Sequence, residues 1–217
     1  MTKKLTLTFD NGPTPGVTEG VLDALAERAL PATFFIVGQE LSTPGVRDLA
    51  EREHAEGHWI GNHTMTHGTP LGRRGDPAIE VSEIADAQTA LDGLTHPDKL
   101  FRPNGSGSVG PHLLSPAALG YLEDGGYTVV LWDVYVRDVH EPDGWVERAL
   151  SVMDGREWNV LVTHDLPTGA MHHLPRFLDA VLGAGIDIVQ EFPNHAVPVH
   201  RGRPADWVGM VTGGGQD

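Results

Sequence analysis

Cysteine is absent from the 217 residues. Disulfides, thiolate metal sites and cysteine nucleophiles are thereby excluded, while the redox compartment stays open. Cationic side chains are scarce: 15 Lys and Arg stand against 30 Asp and Glu, a formal charge of −15. Such a surface repels phosphates, which argues against a nucleic-acid partner and says little about a neutral one. No apolar run approaches the roughly 18 residues needed to span a bilayer, so no membrane segment is expected. The opening MTKKLTLTFD has no signal-peptide-like apolar stretch before its first strand, and the expected localisation is cytoplasmic. Aromatics make up only 6 % of the chain, and no long stacking groove for a polymer is evident. A Gly-x-Gly-x-x-Gly turn is missing too, which disfavours a dinucleotide-binding sheet.

What is present is alternation. Short apolar strands are expected at Leu5–Phe9, 32–37, 58–63, Leu100–Phe101, 128–134, 159–164 and 186–190. Amphipathic helices are expected between them, at 17–29, 46–57, 79–94, 115–124, 143–153 and 174–185. Strands apolar on both faces, each followed by a helix, indicate a parallel sheet covered on both sides. Seven such units predict an α/β fold, a closed or nearly closed (β/α) barrel. One domain is expected over residues 1–200, with a loose glycine-rich tail over 201–217.

Polar residues gather just past the strand ends: Asp10 and Asn11, His63 and His67, Arg102, Asp133 and Asp138, then His164 and Asp165. In a β/α barrel these positions share the face that builds active sites. A carboxylate such as Asp10 at a strand terminus suits a general base, although Asn-Gly-Pro also reads simply as a turn. HTMTH places two histidines four apart, on one side of a helical turn, a spacing that suits two nitrogen ligands for one metal. Arg102 is positioned to hold a carboxylate in a bidentate pair. His164 leaves a strand that is apolar on both faces. Asp138, or alternatively Asp133, would bond its second nitrogen and raise its pKa.

Taken in order, TFDNGP, HTMTH, FRPNG, WDVYVRD and LVTHD resemble the five motifs of the polysaccharide deacetylase family (NodB homology domain, carbohydrate esterase family 4). The resemblance spans Leu5 to about residue 192 and implies a distorted (β/α) barrel of about seven strands. It also implies a hydrolase that removes acetyl groups from N-acetylated sugars or related small amides. The cofactor would be a divalent metal, zinc in the first place, with cobalt or nickel as alternatives. By motif, Asp10 would be the base that activates water, and Asn11, His63 and His67 the metal ligands. Arg102 would orient Asp10, Asp138 would tune His164, and His164 would protonate the leaving amine.

Departures from the family pattern qualify these roles. Asn11 stands where the family usually has a second aspartate, so metal binding is expected to be weak. Tyr135 replaces an acid in the fourth motif, and Val139 follows Asp138. No aromatic follows Asn104 in the third motif, near which a backbone amide would complete an oxyanion hole. The expected partner is a small molecule or short oligosaccharide. Two alternatives are a metal-poor hydrolase of amides or cyclic imides on the same barrel, and a non-catalytic binding protein.

Overall fold

The computed structural model describes residues 2–105, 107–153 and 155–213. Its centre is β1 (Lys4–Asp10), whose seven residues pair in parallel with all seven of β7 (Trp158–His164). On its other flank β1 pairs with β2 (Thr33–Ile36), which continues to β3 (Trp59–Asn62), β4 (Leu100–Phe101) and β5 (Thr128–Val129). Leu5, Leu7, Phe9 and the whole of β2 are buried, as expected of strands covered on both faces. β8 (Asp187–Val189) also pairs with the start of β1, beside the main path of the sheet.

Residues 128–134 are not the single strand the sequence predicts. β5 ends at Val129, and β6 (Val134–Tyr135) pairs with β7, on the far flank of the sheet. Only residues 130–133 separate the two. Val130 donates its N–H to the Phe101 carbonyl on one side, and Asp133 donates to Val160 on the other. Four residues thus tie the two flanks together and curl the sheet into a distorted barrel. An apolar run is buried equally on either flank of the sheet, so periodicity alone could not reveal the switch.

Helices cover the outside: α1 (Thr18–Ala26), α2 (Val46–Ala55), α3 (Leu71–Arg74), α4 (Pro77–Ala90), α5 (Pro116–Asp124), α6 (Trp145–Met153) and α7 (Leu174–Gly183). α4 begins where Asp76 caps the Ala78 and Ile79 N–H groups ahead of Pro77, which satisfies donors a helix start leaves open. α6 and α7 bury Trp145 against Phe177, ring centroids 4.9 Å apart, within the large core beneath β1 and β2. Each fully buried aromatic contributes about 1.5–3 kcal/mol of transfer free energy. Among the described residues no helix is long and apolar enough to cross a membrane.

The tail is not loose as far as it is described. β9 (Val199–His200) and β10 (Arg203–Pro204) form an antiparallel hairpin whose first strand pairs with β5. Beyond it Val211 is fully buried, and it accepts the Leu114 N–H. Residues 214–217 lie outside the described residues.

Candidate active site

The strand ends converge. Asp10 closes β1, His63 and Arg102 follow β3 and β4, and His164 closes β7. Asp10, His63, His67 and His164 line one cleft of about 240 Å3, with Trp132, Tyr135 and His140 on its walls. Asp10 and His164 are register partners in the β1–β7 ladder. Arg102, Asp138 and Asn11 are not among the lining residues.

Arg102 is fully buried and spends its donors on several partners. One terminal nitrogen reaches Asp10 Oδ1 at 2.7 Å and Thr8 Oγ1 at 2.7 Å. The other donors go to the Val130 and Leu131 carbonyls, and the guanidinium lies 4.1 Å from the Phe35 ring centre. The pair with Asp10 is therefore single, not the bidentate fork the sequence suggests: Nη1 alone meets the carboxylate, while Nε and Nη2 each donate to a carbonyl of the barrel-closing segment. Gly61 makes this stack possible: a Cβ there would sit 2.5 Å from the Phe35 ring.

Burial pushes the Asp10 carboxyl up. The Arg102 charge, aided by His63, His164 and the Arg102 hydrogen bond, outweighs burial and holds it below the ordinary carboxylate range. For His164 burial works downward, but the hydrogen bond and charge of Asp138, with Asp10 and Asp165 beyond, leave the imidazole raised. Asp138, not Asp133, is the partner: its carboxylate faces His164 Nδ1 at 3.0 Å and also accepts the His164 backbone N–H at 2.8 Å. Asp133 is spent elsewhere, on the Val160 N–H and on His195.

HTMTH is not a helical turn. Thr64 and His67 both adopt the left-handed backbone region. Asn62 Oδ1 takes the Thr64 N–H, and Glu83 from α4 takes the Thr66 N–H and hydroxyl. Even so, the His63 and His67 rings lie edge-on with centroids 4.9 Å apart. His63 Nδ1 meets the Arg102 carbonyl at 2.8 Å, so the proton belongs on Nδ1 and the Nε2 lone pair is free. Nε2 lies 3.5 Å from Asp10 Oδ2. Burial pulls the His63 pKa down to about 3 and lowers that of His67, so both rings are neutral at physiological pH.

The donors present fit a cation. Asn11 Oδ1 is buried and has no hydrogen-bond partner among the described residues. A buried unpaired amide oxygen costs about 1–3 kcal/mol, which coordination would relieve. The neutral imidazoles of His63 and His67, in the cleft, are nitrogen donors of the kind divalent zinc, cobalt or nickel accept. Among the described residues no group of three or more His, Cys, Asp or Glu is placed to hold a metal. Asn11, where the family pattern usually has a carboxylate, could supply a third donor, without charge.

Sequence reasoning missed His140 and the wall residues Gly105, Gly107 and Val162. Gly107 has φ +82°, and a Cβ there would lie 2.5 Å from the Tyr135 ring, so the glycine lets Tyr135 lie against this loop. Asn104 anchors the same loop to the histidine segment, donating to the Gly68 carbonyl at 2.6 Å.

With this geometry in view, residues 1–129 match the model of the polysaccharide deacetylase family. The chain belongs to that family. It is accordingly a deacetylase-like hydrolase of carbon–nitrogen bonds. It is 33 % identical over 173 residues to a chitooligosaccharide deacetylase of Bradyrhizobium sp. (strain ANU 289), covering 76 % of this chain and 71 % of that one. A family 4 carbohydrate esterase from Streptomyces lividans, solved in complex with acetate, superposes with a TM-score of 0.72 at 29 % identity, covering 91 % of this chain and 97 % of that one. A family 4 acetyl xylan esterase from Clostridium thermocellum, solved with a cobalt ion, shares the fold at a TM-score of 0.69 and 24 % identity, with 86 % and 87 % covered.

Proposed function

We propose that this member of the polysaccharide deacetylase family removes the acetyl group from an N-acetylated amino sugar, with Asp10 as base and His164 as acid. The observation that carries the reading is the opposite displacement of two titrating groups on adjacent strand ends. Asp10 is held ionised, and His164 is held protonated further toward neutral pH. Groups pushed apart in this way divide acid and base roles between them.

Asp10 accepts the proton of the attacking water, kept ionised and aimed by Arg102. His164, steadied on two sides by Asp138, gives its proton to the amine as the carbon–nitrogen bond breaks. Asn11, His63 and His67 would hold a divalent cation, favouring zinc, which when bound acidifies water and polarises the acetyl carbonyl. Trp132 and Tyr135 narrow the cleft, which supports a single acetamido group and its ring as the portion bound there. The named substrate of the Bradyrhizobium relative, a chitooligosaccharide, supports the same class.

The test is acetate release from short N-acetylglucosamine oligomers after reconstitution with zinc, cobalt or nickel. His164→Ala should lose roughly 10²–10⁴-fold in turnover, the usual contribution of a general acid. Acetate release that is unchanged in that variant, or absent with every metal and every acetylated sugar, would end the reading.

A further inference from the structure

The opposite end of the barrel carries a second cleft, of about 610 Å3. Trp59, Leu100 and Thr128, among its lining, are the first residues of β3, β4 and β5, whereas the hydrolytic residues stand at the far strand ends. The four residues of β3 separate Trp59 from His63 by roughly 13 Å at the usual rise of a strand.

In a chain poor in aromatics, three meet here: Trp59, Phe192 and Trp207. Each is half-buried. Trp59 packs against His96 and Phe192, with ring centroids 4.4 and 5.9 Å away and both rings tilted to it. Behind Trp59 and Phe192 lie Phe35, Leu100 and Val130 in the barrel interior, so these two rings rest on core and are held in place. Around them are His96, Asn194, His200 and Arg203.

Two of the rim carboxylates are matched. Arg201 meets Asp98 at 3.0 Å, and Lys4 meets Glu191 at 3.9 Å. Arg203 and Asp206, of opposite sign, complete the charged rim, so no excess of one sign is offered to a strongly ionic ligand. An aromatic floor with dipolar edges suits a sugar ring, whose C–H face lies on indole while its hydroxyls reach the imidazole, amide and guanidinium groups.

We propose that this floor cleft is a second saccharide site, separate from the hydrolytic one, that binds a neutral glycan unit. That the unit is N-acetylated rests on the proposed function; the saccharide chemistry of the cleft does not. Because the two clefts open at opposite ends of the barrel, one short oligosaccharide cannot fill both. The floor site tethers the protein to a polymeric glycan and raises the local concentration of neighbouring strands at the hydrolytic cleft.

The test uses the whole chain, metal-free to prevent turnover, and an N-acetylglucosamine tetramer as probe. Nuclear magnetic resonance follows the indole N–H signals of Trp59 and Trp207. Both should shift on titration, and Trp207→Ala and the surface variant Arg203→Ala should each weaken the site at least about tenfold. Acetate release from a short soluble substrate should be unchanged in Arg203→Ala, while release from a polymer should fall. Indole signals that stay still at saturating tetramer overturn the inference, as does binding that survives both substitutions. A dimer that Trp207→Ala dissociates also overturns it, since a second copy then occupies the cleft. Floor binding without any acetate release would sink the deacetylase reading alone; acetate release without floor binding would sink this inference alone.

Discussion

Asp138 binds His164 twice, through the ring Nδ1 at 3.0 Å and through the backbone N–H at 2.8 Å. One fully buried carboxylate thus sets both the position of the histidine and its readiness to hold a proton. Asp138→Asn keeps the shape and removes the charge. The His164 pKa should fall, so the alkaline limb of the kcat profile should move to lower pH. Turnover should drop by less than the roughly 10²–10⁴-fold cost of deleting the acid itself. The same raised pKa has a stability consequence. The folded state binds the His164 proton more tightly than the unfolded chain does, so this contribution is complete below the ordinary value of 6.5. It is lost as pH rises through the folded pKa. Chemical unfolding across that window should show a smaller loss in Asp138→Asn than in the wild type.

Arg102→Met should act differently. It strands the Asp10 carboxylate in a buried site with its main counter-charge gone, and leaves the Val130 and Leu131 carbonyls without their donors. Breaking a buried pair from one side costs about 3–5 kcal/mol, which a urea midpoint would register. Asp10 should also titrate higher, so the acid limb of activity in the surviving folded fraction should move up in pH. A midpoint within error of the wild type would mean that Arg102 contributes no net stability.

How much of this was legible in the sequence depends on what each residue needed. Asp10, His63, Arg102 and His164 stood out because each follows a short apolar strand, and parallel topology brings strand ends to one face. The β5–β6 switch did not stand out, because Val130 and Leu131 are as buried as the strand residues around them. The conformation of HTMTH was misread for a related reason. Its shape comes from Asn62 and from Glu83 on a helix some twenty residues later, partners that local spacing does not report. The floor cleft was invisible for a third reason: Trp59, Phe192 and Trp207 are distant in the chain, and only the fold brings them to one cleft.

Asn11→Asp tests the proposed metal ligands directly. A carboxylate in place of the orphaned amide adds a charge beside the cation, so zinc should bind more tightly by calorimetry and resist chelator longer. The water it activates should be less acidic, which would shift the acid limb of activity upward. Equal zinc affinity in the two forms would remove residue 11 from the ligand set, whatever the effect on rate.

Asp165 offers a stability prediction of opposite cause. It is fully buried beside Gly12, it accepts the Thr18 hydroxyl, and its Oδ1 has no partner among the described residues. Thr18 in turn accepts the Thr14 N–H, so this acid braces the loop that follows Asn11. Burial pushes its pKa up to about 6 against an ordinary 3.8, despite the Thr18 bond. The folded state then holds the proton more tightly than the unfolded chain. Stability from this group is complete below 3.8 and falls as pH rises toward and past 6, by about 3 kcal/mol at most. Asp165→Asn keeps an acceptor for Thr18 and cannot ionise, so it should flatten that part of the curve. The variant should match the wild type near pH 4 and exceed it in thermal midpoint at pH 7.5. A difference that does not change between those two pH values would show that Asp165 is ionised in the folded protein throughout. The buried carboxylate would then be held by a partner stronger than the Thr18 hydroxyl.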